Sequence, residues 1–331
     1  MEYTDLSPRQ LALLSMSISV GATVCFYLVL RQTRRADQAD RAGQTTWVLL
    51  ALMFLLALAA PFMVPPTLAA VSRFMVALFA LLLALKMWDM QVSVGRCEFP
   101  RPPQLFEYLA NLYLLVWRKR NVERQPTRWR NLRNLLLAIL NFLGAIAAIT
   151  LLHRFDWSGV PFLFAHALIA ICLLWFVVGE LDMLVAIIRL FGAYSVEAND
   201  KPYLARTPAE FWRRYNRVIG QFLHENVFKL GNGRRHPLRA TMLAFFVSGL
   251  FHEYLFWLAI GRSPGLQMTF FLLQGAAVAA TLRVRPKGPS SICWWLLTWT
   301  FMLLSSVPFF TSFEHMIPVY PVPLPAWLAA W

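Results

Sequence analysis

About eight times along this chain a continuous apolar run approaches or exceeds twenty residues, and the runs are separated by breaks rich in arginine, proline or glycine. A bilayer core about 30 Å thick takes about 20 apolar residues as a helix. Inside it every backbone N–H and C=O must be bonded within the structure, so only helices and closed barrels cross. The runs are unbroken rather than alternating, which argues against a barrel. They fall at about Leu11–Leu30, Trp47–Val64, Leu68–Met90, Leu135–Leu152, Val160–Phe191, Leu238–Ile260, Leu266–Leu282 and Ile292–Thr311. The chain is 58% hydrophobic and 15% charged, far from the roughly 45–50% apolar usage of soluble domains. The expected fold is therefore all-α: a polytopic transmembrane helical bundle of about eight spans with interfacial or re-entrant helices. It is expected to form one integral membrane domain over 1–331. The first run is too long for a signal-peptide core and lacks a small-residue cleavage site, so it is expected to stay as a span.

The formal net charge of +14 sits in the breaks: a loop from Arg31 to Arg41, the stretch 91–133 with Arg96, the block 192–237, and Arg283 to Lys287. Loops of this kind are retained on the cytoplasmic side. Membrane lipids with anionic headgroups and phosphate-bearing cosubstrates are their natural partners. No nucleic-acid module accompanies the charge, so nucleic acid is not expected as a partner. Within 91–133 the apolar stretch Leu105–Trp117 is 13 residues long, a length suited to an interfacial or re-entrant helix. Lys86 and Asp89, near the inner end of the third run, are spaced to pair on one helix face or to snorkel to the interface. Cys25, Cys97, Cys172 and Cys293 are scattered. They suggest neither a metal site nor a disulfide framework, and the three in apolar runs read as small buried hydrophobes.

His252 and Glu253 lie inside the run 238–260. Ionisable residues at membrane depth are costly and mark functional sites. Counting from Leu238 at about 1.5 Å per residue, His252 lies roughly 20 Å along its helix. A neutral imidazole tolerates low dielectric better than a carboxylate and can take a proton from a hydroxyl as general base. An interhelical hydrogen bond is the structural alternative. Glu253 points to another face, where a different helix can meet it. A relay through Glu180, Asp182, His252 and Glu253 would suit a proton-coupled transporter, but Glu180 and Asp182 fall nearer the inner end, and no internal repeat supports that class. Ser248, one turn before His252, is placed to bond it or to ease helix packing.

The polar block leading to this run contains TPAEFWRRYNR at 207–217. Arg213, Arg214 and Arg217 suit bidentate phosphate recognition. Trp212 and Tyr215 suit stacking on a base or anchoring at the interface. Asn216 suits polarising a carbonyl or capping a helix.

FWRRYN, with SGLFHEY placing His252 36 residues after Asn216, resembles the membrane-bound O-acyltransferase family. In that family a tryptophan-rich loop bearing Asn or Asp precedes a membrane-embedded catalytic histidine. The resemblance covers Thr207–Trp257. SGLFHE is most similar to the wax-synthase-like branch, and HEY is also similar to the sterol and diacylglycerol acyltransferases. Tyr215 departs from the pattern, since many relatives carry a second tryptophan there. The resemblance implies ester formation from acyl-CoA and a hydroxyl acceptor, expected to be a long-chain alcohol or other lipid. A polysaccharide or small-molecule acetyl acceptor is the family's alternative. It implies His252 as catalytic base, Asn216 as its polar partner, and Trp212, Arg213, Arg214 and Arg217 around the CoA head. It implies neither a resident cofactor nor a metal, and no covalent acyl-enzyme.

Overall fold

The computed structural model describes residues 6–35, 44–93, 99–120, 122–262 and 265–329. Arg41, Arg96 and Cys97 lie outside them. Among the described residues there is no β-strand. Seven helical segments are long and apolar enough to cross a membrane, so the chain is an all-α integral membrane protein. Its contacts group into two compact units, Met1–Arg118 with Tyr254–Ser263, and Lys119–Glu253 with Pro264–Trp331.

In the first unit α1 (Pro8–Arg35), α2 (Gln44–Ala59) and α3 (Ala70–Val92) pack on one another. Ser15, Ser19 and Thr23 recur every four residues on the buried face of α1. Small side chains there let helices approach closely, and the Ser19 hydroxyl donates to the Ala57 carbonyl at 3.1 Å. The stretch expected as one interfacial helix is a short α4 (Pro102–Ala110) followed by irregular chain and a single 3₁₀ turn, Trp117–Lys119.

That irregular chain corrects the expectation for Lys86 and Asp89, which do not snorkel. Both are fully buried. The Lys86 ammonium donates to the carbonyls of Tyr108, Asn111 and Leu114 at 2.6, 2.8 and 2.8 Å. The Asp89 carboxylate accepts from the Trp117 amide at 2.8 Å and pairs with the Arg118 guanidinium at 3.1 Å. Backbone outside a helix has unspent carbonyls and amides, and here the two charged side chains on α3 take them up.

The second unit opens with α5 (Arg128–Arg154) and α6 (Phe162–Leu190), an antiparallel pair with extensive contact. After a looped segment come α7 (Pro208–Arg214), α8 (Arg217–Leu223) and a π-helical turn, His224–Phe228. Then follow α9 (Pro237–Ile260), α10 (Leu266–Thr281), α11 (Ser290–Ser305), α12 (Val307–Glu314) and a short α13 (Ala326–Ala329). The run expected as a single last span is broken at Ser306 between α11 and α12. Pro308 explains the break: it has no N–H, and its ring clashes with the carbonyl four residues back. Cys25 and Cys293 are exposed and Cys172 is half-buried, so the first two are not the buried hydrophobes expected. A spanning helix leaves its outer apolar face to lipid rather than to protein.

Candidate active site

The turn between α7 and α8 is set by Thr207 and Asn216. The Thr207 hydroxyl caps α7 by accepting from the Glu210 amide at 3.1 Å, and the Glu210 carboxylate accepts from the Arg206 amide at 2.9 Å. Burial pushes the Glu210 carboxyl up, but the Arg206 amide and Arg214 guanidinium outweigh it and hold it below the ordinary carboxylate range. Asn216 adopts a left-handed backbone at φ 40° and caps α8, its side-chain oxygen accepting from the Ile219 amide at 3.4 Å. Asparagine tolerates that conformation better than most residues. Its own amide donates to the Asn199 side chain at 3.1 Å, and Asn199 in turn donates to Asp182 on α6 at 3.0 Å.

The motif residues are thereby sorted. Trp212 turns inward: its indole N–H donates to Gln274 on α10 at 2.9 Å, and its ring packs on Phe245, Phe270 and Phe271. Arg214 is paired with Glu210 at 2.7 Å, and Arg217 is paired with Glu123. Arg213 is exposed, and among the described residues no salt bridge holds it, although its charge helps to lower the pKa of Glu210. Burial, and next the Glu180 carboxylate, hold the Tyr215 phenol far above its ordinary range.

His252 lies on α9, half-buried, with Phe271 of α10 at 4.3 Å between ring centroids and Phe309 of α12 at 6.0 Å. Trp212 and His252 thus share the Phe271 ring as a common wall. Two glycines bring the helices this close. A Cβ at Gly249 would meet the Met268 sulfur at 2.8 Å, and one at Gly275 would meet the Phe245 Cβ at 2.8 Å. Among the described residues the only hydrogen bond of His252 joins Nδ1 to the Ser248 carbonyl at 2.8 Å. A carbonyl only accepts, so Nδ1 carries the proton and Nε2 presents its lone pair. The partner is the backbone of Ser248, not its hydroxyl. Among the described residues no hydrogen bond joins His252 to Asn216.

A second buried histidine gives the contrast. His166 on α6 donates from Nε2 to the Leu303 carbonyl at 2.8 Å and accepts at Nδ1 from the Tyr320 hydroxyl at 2.7 Å. Both of its nitrogens are spent, and it staples the chain after α12 to α6.

Glu253 does meet a different helix. Its carboxylate accepts from the Met268 amide at 2.9 Å, one of the open N–H groups in the first turn of α10, where negative charge is favoured. Of the residues weighed for a relay, Asp182 is held by Asn199 and Glu253 by the first turn of α10.

Several residues of this shell were not singled out in the sequence: Gln267, Gln274, Phe271 and Phe309. A signal existed for the glutamines. Gln267, Gln274 and Thr281 recur every seven residues on the apolar α10, which puts them on one face. Gln274 bridges Trp212 and the Ser305 hydroxyl, and Thr281 accepts from the Ala209 amide at 3.2 Å. Among the described residues no cluster of His, Cys, Asp and Glu could hold a metal ion.

Residues 151–313, which contain both the α7–α8 turn and His252, match the sequence model of the membrane-bound O-acyltransferase family. That segment is similar to the membrane-bound O-acyltransferase family. Within it the chain is similar to probable long-chain-alcohol O-fatty-acyltransferase 9 of Arabidopsis thaliana, 24% identical over 56% of this chain and 57% of that one. It is similar to probable long-chain-alcohol O-fatty-acyltransferase 1 of the same plant, 28% identical over 56% and 58%. Sterol O-acyltransferase 2 of Rattus norvegicus is 31% identical over 29% of this chain and 18% of its own length. The chain thus spans somewhat more than half the length of the plant relatives it matches.

Proposed function

We propose that this protein is a membrane-bound O-acyltransferase and moves an acyl group from acyl-CoA to the hydroxyl of a lipid, best a long-chain alcohol. The observation that carries the reading is the state of His252: Nδ1 is fixed on a carbonyl, and Nε2, with no hydrogen-bond partner among the described residues, lies among aromatic rings. In the proposed step the acceptor oxygen attacks the thioester carbonyl carbon while its proton passes to His252 Nε2. The C–S bond breaks, the ester forms, and the departing thiolate takes the proton back from the imidazolium to leave as CoA thiol. A general base of this kind supplies about 10²–10⁴-fold.

The apolar shell suits alkyl chains, and the names of the plant relatives favour a long-chain alcohol over a sugar. Arg213 is the arginine of the motif free to take a CoA phosphate; Arg214 and Arg217 act first through their carboxylate partners. Asn216 would orient the thioester oxygen or shape the turn that delivers Trp212. Its αL backbone and capping role support the second. The basic loop 192–237 would face the cytoplasm, where acyl-CoA is encountered.

The test is acyl transfer by the purified protein from labelled acyl-CoA to a panel of fatty alcohols, diacylglycerol, sterol and sugars. Wild type should esterify a fatty alcohol, and His252→Ala, with an unchanged melting temperature, should lose at least about 10²-fold. Transfer only to sugars would overturn the lipid acceptor. Equal turnover by His252→Ala would overturn the base.

A further inference from the structure

Three hydrogen bonds hold the segment 198–200 against the turn between α7 and α8. Two of them are main-chain: the Asp200 amide donates to the Arg214 carbonyl at 2.8 Å, and the Arg217 amide to the Ala198 carbonyl at 2.7 Å. These two clamp the stretches together whatever side chains stand there. The third is made by a side chain and reaches one residue, the Asn199 carboxamide oxygen accepting from the Asn216 amide at 3.1 Å. Asn216 is the residue of the turn with a left-handed backbone, φ 40°, a conformation that an L-residue keeps only where its surroundings impose it.

Asn199 is itself held. Its side-chain nitrogen donates to the Asp182 carboxylate of α6 at 3.0 Å and to the Val178 carbonyl, one turn earlier on the same helix, at 3.5 Å. The two ends of a carboxamide have nearly one shape, so either could face Asn216 unless a neighbour chooses between them. An ionised carboxylate only accepts. Asp182 therefore takes the nitrogen end and turns the oxygen toward the Asn216 N–H. The Val178 carbonyl favours the same choice from the long limit of a hydrogen bond. An ionisable side chain on a spanning helix is costly, and a loop already clamped by its own backbone needs none for docking alone.

We propose that Asp182 is a positioning residue of the candidate active site: through Asn199 it fixes the backbone of Asn216, and with it the aim of the Asn216 side chain and the seat of Trp212. Trp212 packs on Phe271, the ring that also walls His252, so Asp182 acts on the chemistry through other residues. This rests on the acyltransferase reading and adds α6 to the elements that set its geometry.

The test pairs the kinetics of ester formation with hydrogen exchange in peptides that contain Asn216. Asp182→Leu removes the acceptor at similar volume. It should lower kcat about tenfold or more, leave KM for acyl-CoA nearly in place, and speed exchange around Asn216. Asn199→Asp should do as badly, because it sets two carboxylates against each other. Combining Asn199→Asp with Asp182→Asn restores the bond with donor and acceptor exchanged, and both readouts should return to within about threefold of wild type. A double variant no better than Asn199→Asp alone overturns the proposal. So does a loss that appears only as a lowered thermal midpoint, or exchange around Asn216 that a folded Asp182→Leu leaves unchanged. If Asp182→Leu does not fold, Asn199→Asp and the double variant carry the same comparison. Exchange needs no turnover. A wild type that makes no ester therefore counts against the acyltransferase reading, while exchange in the double variant against the single still decides whether Asp182 holds the turn.

Discussion

Two polar clusters are sunk in apolar helices of this protein, one in each unit, and they are finished differently. Around Lys86 each ammonium proton has its own carbonyl, and Asp89 is held by an amide and a guanidinium. Around His252, among the described residues, one ring nitrogen is bonded and the other is not, and Gln267 has one amide end in use and the other idle. The first arrangement has no capacity left for a ligand and ties irregular chain to a spanning helix. The second keeps a base and an acceptor in reserve. Saturation, more than charge or depth, separates the structural cluster from the candidate chemical one.

The largest effect that tests this contrast is on stability. Lys86→Met leaves three buried carbonyls without a donor and should cost on the order of 3 kcal/mol or more. It should be read as a lowered thermal midpoint in detergent. His252→Ala frees one carbonyl and should leave that midpoint nearly in place. Equal losses of stability would erase the distinction between the clusters.

Asn216 sharpens the comparison next, since its backbone amide and side-chain oxygen are both taken up in shaping the α7–α8 turn. Asn216→Gly accepts the φ of 40° that Asn216→Ala resists, the difference being about 1 kcal/mol. If the residue shapes the turn, ester formation by the glycine variant should exceed that by the alanine variant. Equal, deep loss in both would instead give the amide a direct part in the reaction.

Arg213→Gln should raise KM for acyl-CoA several-fold, more so at low ionic strength, while kcat changes little. Arg214→Gln should act chiefly by lowering the thermal midpoint, because it strips Glu210 of its partner at 2.7 Å.

The smallest effect is on pH. Burial lowers the pKa of His224, Glu225 raises it, and Lys229 and Lys119 lower it further, with the net below the ordinary 6.5. A depressed histidine contributes stability that is fully present above its unfolded value and is lost as pH falls through that value toward the folded one. The thermal midpoint should therefore drop slightly on acidification below about pH 6.5, and His224→Gln should blunt the drop.

Much of this was legible in the sequence. The apolar runs located the spanning helices because hydropathy is decided residue by residue, and Pro237 and Gly261 bound α9 close to where the run ended. His252 was conspicuous because an ionisable group in such a run has few uses. Its aromatic shell was not legible, since Phe271 and Phe309 are ordinary residues for a spanning helix until packing brings them to one ring. The fate of Lys86 was hidden for another reason. Its partners are backbone carbonyls of an irregular stretch, and carbonyls leave no mark on a sequence. Asn216 showed both of its possible uses in the sequence, and only the local backbone favours the cap.

The 16 residues of α10 have a consequence for the membrane around them. Such a helix reaches about 24 Å at about 1.5 Å per residue, some way short of a hydrocarbon core about 30 Å thick. Leu272 and Leu273 on it are exposed, and a bilayer thinned beside α10 would relieve the mismatch where lipid meets it. Bilayer thickness would thereby bear on the proposed acyl transfer. Reconstitution in short-chain and long-chain phosphatidylcholines should tune its rate as surely as a change of substrate.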